Sequence, residues 1–371
     1  MADPAHRLRV AVDAVHSKTG GGLTYLRNVL PLLAAEPDLE LHLFAPADIA
    51  ELLAPLDPRI QRHLVAPWRG RLPEALWEQL CLPPLLRAAR IDVTFAPANF
   101  APIAAPRPVV LLRNALGVIG RERRPTLMAY WAVLAVATWA SLLRCRRAIA
   151  VSDYARRTIA GPLRGRVTVV PHGVSGVFGP GAEAREPFLL AVADLYTQKN
   201  LHTLIDAFAA LRAARPGLEL RIAGRRVDED YARSLERQVE RLGLTESVRF
   251  IGVVAPEALA ALYRRCAVFV FPSTVETFGN PLVEAMACGA AVACAHAAAM
   301  PEVLDDAGVY FDPDDASDMA RAIAELMDDE DLRRRCAERG VARAKTFSWA
   351  AAARSTAQVL RAVAKGDRHA G

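Results

Sequence analysis

The sequence is poor in aromatic residues and its cysteines occur singly. Each of these features argues against certain classes of partner or site. Aromatic residues make up 6% of the 371 residues, and no DNA- or RNA-binding motif accompanies the basic charge, so we expect no nucleic-acid partner. The six cysteines occur singly and form no Cys-x-x-Cys pair. This spacing argues against a disulfide framework or a zinc site and fits a reducing compartment.

The start of the chain lacks the apolar run of a signal peptide. Residues 1–15, MADPAHRLRVAVDAV, carry charges and a proline instead, which predicts no export and a cytoplasmic location. Residues 127–143, LMAYWAVLAVATWASLL, are 17 uncharged residues, short of the about 20 strongly apolar residues that a spanning helix needs. We interpret this stretch as a buried helix, with a membrane-facing amphipathic helix as the alternative.

Charge is unevenly distributed along the chain. Residues 1–175 hold 22 Lys and Arg against 13 Asp and Glu, whereas the remainder is net acidic within an overall charge of +5. A basic first half suggests an anionic partner or a membrane surface, and an arginine-rich solvated face is the alternative. Lysine is rare, at positions 18, 199, 345 and 365. A lysine therefore marks a position that favours a compact ammonium group.

The chain opens as a strand, a glycine loop and a helix, which is the beginning of an open α/β domain. The strand is LRVAVDAV (8–15), the loop is HSKTGGG, and apolar residues at helical spacing follow. Further short apolar runs, mostly separated by helical stretches, predict a parallel sheet covered on both faces. These predicted strands are 39–46, 92–97, 108–114, 148–152 and 167–173.

Residues 175–188 interrupt the pattern with glycine, proline and charge, and we interpret them as a linker. A second alternation of strands and helices begins at FLLAVADL (188–195). The sequence therefore predicts an α/β protein of two Rossmann-like domains, 1–177 and 178–348, that face one another across a cleft. In open parallel sheets ligands bind beyond the carboxyl ends of the strands, so we expect the ligand in that cleft.

The strongest motif is ETFGNPLVEAMACG, residues 276–289. Glu276 precedes a Gly279-Asn280-Pro281 step, and Glu284 follows one turn into the helix that the proline opens. The N–H groups and partial positive charge of such a helix start favour a phosphate or another anion. We interpret the two acids that flank this segment as acceptors for sugar hydroxyls. In the alternative interpretation, the early glutamate of the helix only interacts favourably with the helix dipole.

These two glutamates, with FGNP and EAMACG, resemble the signature of the family-4 retaining glycosyltransferases of the GT-B fold. The second half resembles the family segment by segment, in VADLYTQKNLHTLIDAF, LRIAG, VRFIGVV, LYRRCAVFVFPS, MPEVLDDAGVYFDPDD and RAKTFSW. The first half matches more loosely, in GGGLTYLRNVLPLL, DVTFAPANF, VSDYARRTI and VVPHGV. The resemblance also implies that a C-terminal helix, 349–371, packs back onto the first domain.

The resemblance implies a role for residues in both domains. Lys199 would contact the donor diphosphate and stabilise the charge of the leaving phosphate. Glu284 would hold the ribose hydroxyls, and Glu276 would grip the transferred sugar. The backbone of Phe278, Gly279 and Asn280 would hold the sugar and its phosphate, the loop Gly20, Gly21 and Gly22 would close from the first domain, and His172 would lie near the interdomain hinge.

Two positions depart from the family pattern. Many relatives carry Gly-Arg where this chain has Ala193-Asp194, and Arg225 or Arg113 is a candidate to replace that diphosphate-binding cation. Relatives often carry His-Asp where this chain reads Arg113-Asn114, so a histidine contact near the acceptor is missing. The acceptor-side candidates are Asn99, Arg113, Asn114 and His172, and ordinary loop residues are the alternative.

Together these features imply a retaining glycosyltransferase. It would move a sugar from a nucleotide donor, a UDP- or GDP-sugar, to a hydroxyl of a glycan, a lipid-linked intermediate or a small molecule. We expect no metal and no further cofactor. The basic charge of the first domain also suggests a peripheral contact with the inner face of an anionic membrane. A glycosidase pair is rejected because both acids lie in one anion-binding segment. The alternatives are another GT-B enzyme, such as a sugar-nucleotide epimerase or a phosphorylase, and a non-catalytic GT-B binding subunit.

Overall fold

The computed structural model describes residues 7–17, 20–114 and 125–366. Within these residues the chain forms two compact units of parallel sheet and helix. One unit runs up to Gly173 and resumes at Ser348, and the other comprises Val174–Phe347. The chain therefore leaves the first unit once and returns to it with its last helix.

Each unit is built on one sheet, and all pairings among the described strands are parallel. The strands of the first unit are β1 (Leu8–Asp13), β2 (Leu39–Ala45), β3 (Gln61–Leu64), β4 (Val93–Ala96), β5 (Pro108–Leu112), β6 (Ala148–Ala150) and β7 (Val167–Val169). Those of the second unit are β8 (Glu186–Val192), β9 (Glu219–Ala223), β10 (Val248–Gly252), β11 (Cys266–Phe271), β12 (Val292–Ala295) and β13 (Gly308–Phe311).

The first six strands of each unit have the same order in the sheet, and the first sheet adds β7 at its edge. The order of the first sheet is β3-β2-β1-β4-β5-β6-β7 and that of the second is β10-β9-β8-β11-β12-β13. In each, the first strand of the unit lies beside the fourth, and the chain winds outward in both directions from that point. Ligands of such doubly wound sheets bind at the carboxyl ends of the strands where the order reverses. We therefore expect ligand sites at the carboxyl ends of two strand pairs, β1 with β4 and β8 with β11.

Helices connect the strands of both sheets. Those of the first unit are α1 (Gly21–Ala34), α2 (Ala47–Leu52), α3 (Arg71–Ala88), α4 (Pro125–Arg144), α5 (Asp153–Ala160) and α13 (Trp349–Lys365). Those of the second unit are α6 (Leu201–Ala214), α7 (Glu229–Arg241), α8 (Pro256–Arg265), α9 (Asn280–Ala287), α10 (Met300–Leu304), α11 (Ala316–Asp328) and α12 (Glu330–Ala344).

The inner strands are apolar along their whole length because helices cover both faces of each sheet. β4 and β5 are buried at every position, and Phe188 to Ala191 of β8 are at most 1% exposed. The sequence did not reveal β3, whose residues are Gln-Arg-His-Leu and mostly exposed. It lies at the edge of the first sheet, where one side is open to solvent and an apolar run is not needed.

The prediction that residues 127–143 form a buried helix is wrong for much of their surface. They lie in α4, where Leu134 and Leu142 are buried but Val133, Val136 and Leu143 are 55%, 71% and 64% exposed. The stretch is apolar on all sides, so its periodicity could not show which side packs. None of the helices in the described part of the chain combines the length and the apolar character that crossing a bilayer requires.

The last helix, α13, packs against α1 in the first unit. The hydroxyl groups of Tyr25 and Thr356 are 3.0 Å apart in the buried contact between them. Arg361 pairs with the carboxylates of Glu36 and Asp38, each at 2.6 Å. The buried residues of α13 are Trp349, Ala352, Ala353, Thr356, Ala357, Val359, Leu360 and Val363. One full face of the helix is thus part of the core of the first unit.

Candidate active site

The loops that follow β8 and β11 meet at the point where the second sheet reverses its order. The chain after β8 forms a short 3-10 turn, Thr197–Lys199, and the Gln198 carbonyl accepts the N–H of Thr274 at 3.0 Å. Across these loops the ammonium group of Lys199 donates to Glu276 Oε1. The two side chains are only 14% and 17% exposed. Two residues expected to act on the donor are therefore neighbours.

Lys199 stays charged in this position. Burial by itself lowers the pKa of Lys199, but the adjacent Glu276 carboxylate more than compensates and raises the pKa above its ordinary value. Asn200 fixes the turn: it has a left-handed backbone (φ 55°), and its side-chain amide donates to the Pro313 carbonyl at 2.7 Å. An ammonium group has three donors, so one carboxylate leaves others for an anionic ligand.

The helix α9 begins beside this ion pair, directly after Gly279. That residue has a left-handed backbone, φ 86° and ψ 66°, and a Cβ there would lie 3.1 Å from the Phe271 ring. The left-handed backbone and the lack of room for a Cβ both favour glycine at this position. Gly279 has no side chain to cap α9, and the first turn of the helix carries the partial positive charge of a helix start. Phe278, which precedes it, is buried against the Phe347 ring at 5.4 Å.

Glu284 lies one turn into α9 and has a partner that the sequence did not indicate. Its Oε2 accepts the hydroxyl of Tyr263, from α8, at 3.1 Å. Burial raises the pKa of Glu284 to about 7, and the hydrogen bond from Tyr263 acts in the opposite direction. The side chain therefore changes between acid and carboxylate near neutral pH. As a carboxylate it can accept hydrogen bonds from two ligand hydroxyls.

Arg225 lies at the same edge of the sheet and is held by Asp194. Asp194 follows β8 and Arg225 follows the neighbouring strand, β9. The Arg225 N–H and Nε donate to Asp194 Oδ1 at 3.0 and 3.2 Å. A Cβ at Gly224 would lie 1.9 Å from the Ala193 carbonyl oxygen, so the two loops touch through their backbones. The structure therefore holds Arg225, the candidate replacement for a diphosphate-binding arginine, against the residue that occupies position 194.

In the first unit the structure joins three of the predicted acceptor-side residues. Asn99 is buried after β4, and its Oδ1 accepts the N–H groups of Arg113 and Asn114, each at 2.9 Å. Arg113 Nε donates to the Pro97 carbonyl at 2.6 Å. A Cβ at Gly22 would lie 2.4 Å from Arg113 Nη2, so the guanidinium group packs on the start of α1. Burial lowers the pKa of Arg113 to about 10.

The other predicted residues of the first unit lie in different surroundings. Gly20 has a left-handed φ of 63° and precedes α1, which begins at Gly21. His172 is 4% exposed, and its ring lies 5.4 Å from that of Tyr25 and 5.3 Å from that of Trp349. It is thus part of a buried aromatic cluster. Lys18 lies outside the described residues.

Among the described residues, no group of three or more His, Cys, Asp or Glu side chains is arranged to hold a metal ion. All six cysteines are free, and five of them are buried.

Two family models match the chain, one in each half. The model described as glycosyltransferase family 4 matches residues 19–175, and the model described as glycosyl transferases group 1 matches residues 178–343. The chain belongs to the family-4 glycosyltransferases. The resemblance seen in the motifs is thereby confirmed.

Several curated relatives of this family-4 glycosyltransferase are bacterial enzymes. The O-antigen chain mannosyltransferase B of Escherichia coli is 35% identical over 167 residues, which are 45% of this chain and 43% of the relative. The D-inositol 3-phosphate glycosyltransferase of Corynebacterium kroppenstedtii is 35% identical over 175 residues, 45% of this chain and 39% of the relative. The matched part of the chain thus spans less than half the length of either relative.

Solved structures share the fold of the family-4 glycosyltransferase over nearly its whole length. Sucrose-phosphate synthase from Thermosynechococcus elongatus has a TM-score of 0.81 and 21% identity, and the match covers 97% of this chain and all of that one. Anabaena HepE in complex with UDP-glucose has a TM-score of 0.78 and 20% identity, with 96% of this chain and all of that one covered. The predicted α/β fold of the GT-B type, with two Rossmann-like units, is confirmed.

Proposed function

We propose that the protein transfers a sugar from a nucleotide diphosphate sugar to an acceptor hydroxyl group. The observation that carries this proposal is the Lys199–Glu276 ion pair, which lies beside the start of α9 where the second sheet reverses its order. A buried cation next to a helix start suits a diphosphate. A partly buried glutamate one turn further, Glu284, suits the hydroxyls of a ribose.

Each donor-side residue has a role in this proposal. Lys199 binds the diphosphate and stabilises the negative charge that develops as it leaves. Glu276 and the backbone of residues 278–280 hold the transferred sugar, and Arg225 replaces the diphosphate-binding arginine that is absent at position 194. The donor is a UDP- or GDP-sugar. The UDP-glucose complex of HepE supports a UDP-sugar. The mannosyltransferases among the relatives are the reason to keep a GDP-sugar as the other candidate.

The transfer proceeds with retention of configuration. The acceptor hydroxyl attacks the anomeric carbon from the face that the diphosphate leaves, and the bond between that carbon and the phosphate oxygen breaks. A leaving phosphate oxygen takes the hydroxyl proton, so no protein nucleophile is required. The acceptor is a glycan, a lipid-linked intermediate or a small molecule. Asn99, Arg113 and Asn114 contribute to its side of the reaction, and residues 20–22 contribute to donor binding.

We also propose a cytoplasmic protein that touches an anionic membrane through its first unit. The exposed apolar residues of α4, among them Val133, Val136 and Leu143, precede a basic segment at Arg144 and Arg146. Apolar side chains beside cations suit the headgroup region of an anionic bilayer. Sedimentation with phosphatidylglycerol vesicles and with neutral vesicles tests this contact. Binding to neither kind would contradict it.

Thermal-shift measurements with UDP, GDP, TDP and their sugars test the donor. We expect stabilisation by one nucleoside diphosphate family, because a ligand that binds only the folded chain raises its melting temperature. NMR of the product then gives the anomeric configuration. No shift with any nucleotide would contradict the proposal, and inverted product would contradict retention. Turnover of the donor without an acceptor would favour the alternative of an epimerase.

A further inference from the structure

Helix α6 begins directly after Lys199 and Asn200, and the asparagine does not cap it. Asn200 has a left-handed backbone and makes no side-chain cap hydrogen bond. An asparagine before a helix usually accepts an N–H group of the first turn. Here its amide donates to the Pro313 carbonyl at 2.7 Å, and its Oδ1 accepts the Thr203 hydroxyl, also at 2.7 Å. The first N–H groups of α6 therefore need an acceptor from elsewhere.

Tyr231, in the first turn of α7, supplies such an acceptor. The His202 N–H donates to Tyr231 Oη at 3.3 Å, and His202 Nδ1 lies 3.0 Å from the same oxygen. A phenol oxygen both donates and accepts hydrogen bonds. It therefore receives the backbone N–H whichever way its hydrogen bond with the ring nitrogen runs. The hydroxyl group of a neighbouring helix thus takes the place of a capping side chain at the start of α6.

Further contacts hold Tyr231 and α7 against α6. The Tyr231 N–H donates to Asp228 Oδ1 at 3.1 Å, which fixes the residue at the start of α7. Gln238 is buried further along α7, and its Nε2 donates to the His202 carbonyl at 2.9 Å and to Asp206 Oδ1 at 2.7 Å. Both backbone groups of His202 are thus bound by side chains of α7. Because these contacts act on the first turn, α7 sets the direction in which α6 leaves the Lys199 turn.

The turn that carries Lys199 is fixed at its other end as well. The Gln198 carbonyl accepts both the N–H and the hydroxyl of Thr274, at 3.0 and 3.2 Å. Lys199 lies between this contact and the start of α6. Its ammonium group sits on a flexible stem, so the backbone must be held if the group is to stay beside Glu276. Because a displacement of about 1 Å at a reacting group costs about 100-fold in rate, the position of the helix start matters to the proposed donor contact.

We propose that Tyr231 is a positioning residue for Lys199. Its hydroxyl group fixes the start of α6, and the fixed helix holds the lysine in the orientation in which its ammonium group meets the donor diphosphate. Tyr231 acts through Lys199 and needs no contact with the donor. The inference rests on the proposed function, because it concerns the cation of that reaction.

A double-mutant cycle separates this role from a general structural one. Y231F keeps the ring and removes the hydroxyl group, so we expect the calorimetric affinity for the nucleoside diphosphate to fall about 3- to 10-fold, the range for one hydrogen bond. In K199A the same substitution should change that affinity by less than about 2-fold, because the lysine through which Tyr231 acts is gone. Y310F is the matched control, since the Tyr310 hydroxyl of β13 donates to the Asp305 carbonyl at 2.7 Å. Its loss should change the affinity by less than about 2-fold.

A further variant distinguishes the hydroxyl group from the ring. Y231L removes both, and it should match the nucleotide affinity of Y231F within about 2-fold, although it should be less stable in urea because buried apolar area is lost. Unchanged affinity of Y231F, with or without a loss in Y231L, would overturn the inference and leave the proposed function intact. So would an equal loss from Y231F in the wild type and in K199A, because that result indicates a general structural role.

Hydrogen exchange of the full chain tests the inference without a nucleotide. Amides of a helix start exchange faster when their cap is lost, so peptides covering residues 197–204 should exchange about 3- to 10-fold faster in Y231F than in the wild type. Peptides of β11 should exchange alike in both, and Y310F should match the wild type over residues 197–204. Equal exchange of residues 197–204 in Y231F and the wild type would overturn the inference. Failure of the wild type to bind any nucleotide would instead contradict the proposed function, and the exchange comparison would still decide whether Tyr231 holds the Lys199 turn.

Discussion

Lys199 and Glu276 form an ion pair across 77 residues of sequence. The pair forms because β8 and β11 are adjacent in the second sheet, so that the loops after them leave the sheet side by side. Each residue restrains the other: the carboxylate keeps the ammonium charged despite its burial, and the ammonium offsets the cost of burying the carboxylate. An incoming diphosphate would therefore meet a cation that is already in place.

Replacing Lys199 should abolish most of the activity. K199A removes the cation that we propose for the leaving diphosphate, and we expect kcat to fall by roughly 100- to 1000-fold, as for the loss of one charge-stabilising donor. Steady-state kinetics with the donor found by thermal shift would measure this. K345A is the matched control, because Lys345 is exposed at the end of α12. Equal activity of K199A and K345A would show that Lys199 has no part in the reaction.

Donor binding should depend on pH through Glu284. In the proposed function only the carboxylate form accepts ribose hydroxyls. Calorimetric affinity for the nucleoside diphosphate should therefore increase as pH rises through about 7, the pKa to which burial raises this group. Y263F removes a hydrogen bond that lowers the pKa of Glu284 and should move the transition to higher pH. E257Q, at an exposed position of α8, is the control. A flat affinity profile for the wild type would rule out the ribose role.

The same ionisation affects stability with a definite sign. The pKa of Glu284 is raised in the folded chain, so the folded state binds the proton more tightly than the unfolded chain. The contribution of Glu284 to the free energy of unfolding is therefore fully present below about pH 4.5 and is lost as pH rises through about 7. E284Q should flatten this part of the stability curve in urea titrations. A steeper curve for E284Q would contradict the assignment.

The Asp194–Arg225 pair can be tested by exchanging its members. R225A should weaken binding of the diphosphate by roughly 10-fold or more, the effect of one charge-assisted hydrogen bond, and should leave binding of the free nucleoside unchanged. The double variant D194R/R225D keeps the pair but places the arginine on the loop after β8, and it should recover part of the affinity. R226A, at an exposed arginine paired with Glu236, is the control. Unchanged diphosphate affinity of R225A would remove Arg225 from the site.

The last helix should be essential to the first unit. Leu360 is fully buried in α13, so L360A leaves a cavity in the core and should lower the free energy of unfolding by about 2–5 kcal/mol. Gln358 is exposed on the same helix, and Q358A should change stability by less than about 0.5 kcal/mol. Chemical denaturation measures both. Similar values for the two variants would mean that α13 does not contribute its apolar face to the core.

Much of the fold was readable from the sequence because its signals are local. Apolar runs of strand length, glycine loops and helical periodicity predicted 11 of the strands now seen, but neither the polar edge strand β3 nor β13. The Gly279-Asn280-Pro281 step likewise predicted a helix start, since a left-handed glycine and a proline in the first turn are local requirements. The mostly apolar α4 had no such signal, and only its packing showed which side is exposed.

The sequence by itself therefore determined the two series of strands and helices, the loops at their ends and the family signature. Tertiary structure alone decided which distant residues become partners: Lys199 with Glu276, Glu284 with Tyr263, and His16 with Glu78. The reason is that turns and periodicities depend on neighbours in the chain. Partners at the strand ends depend on strand order, which brings together residues that lie tens of positions apart.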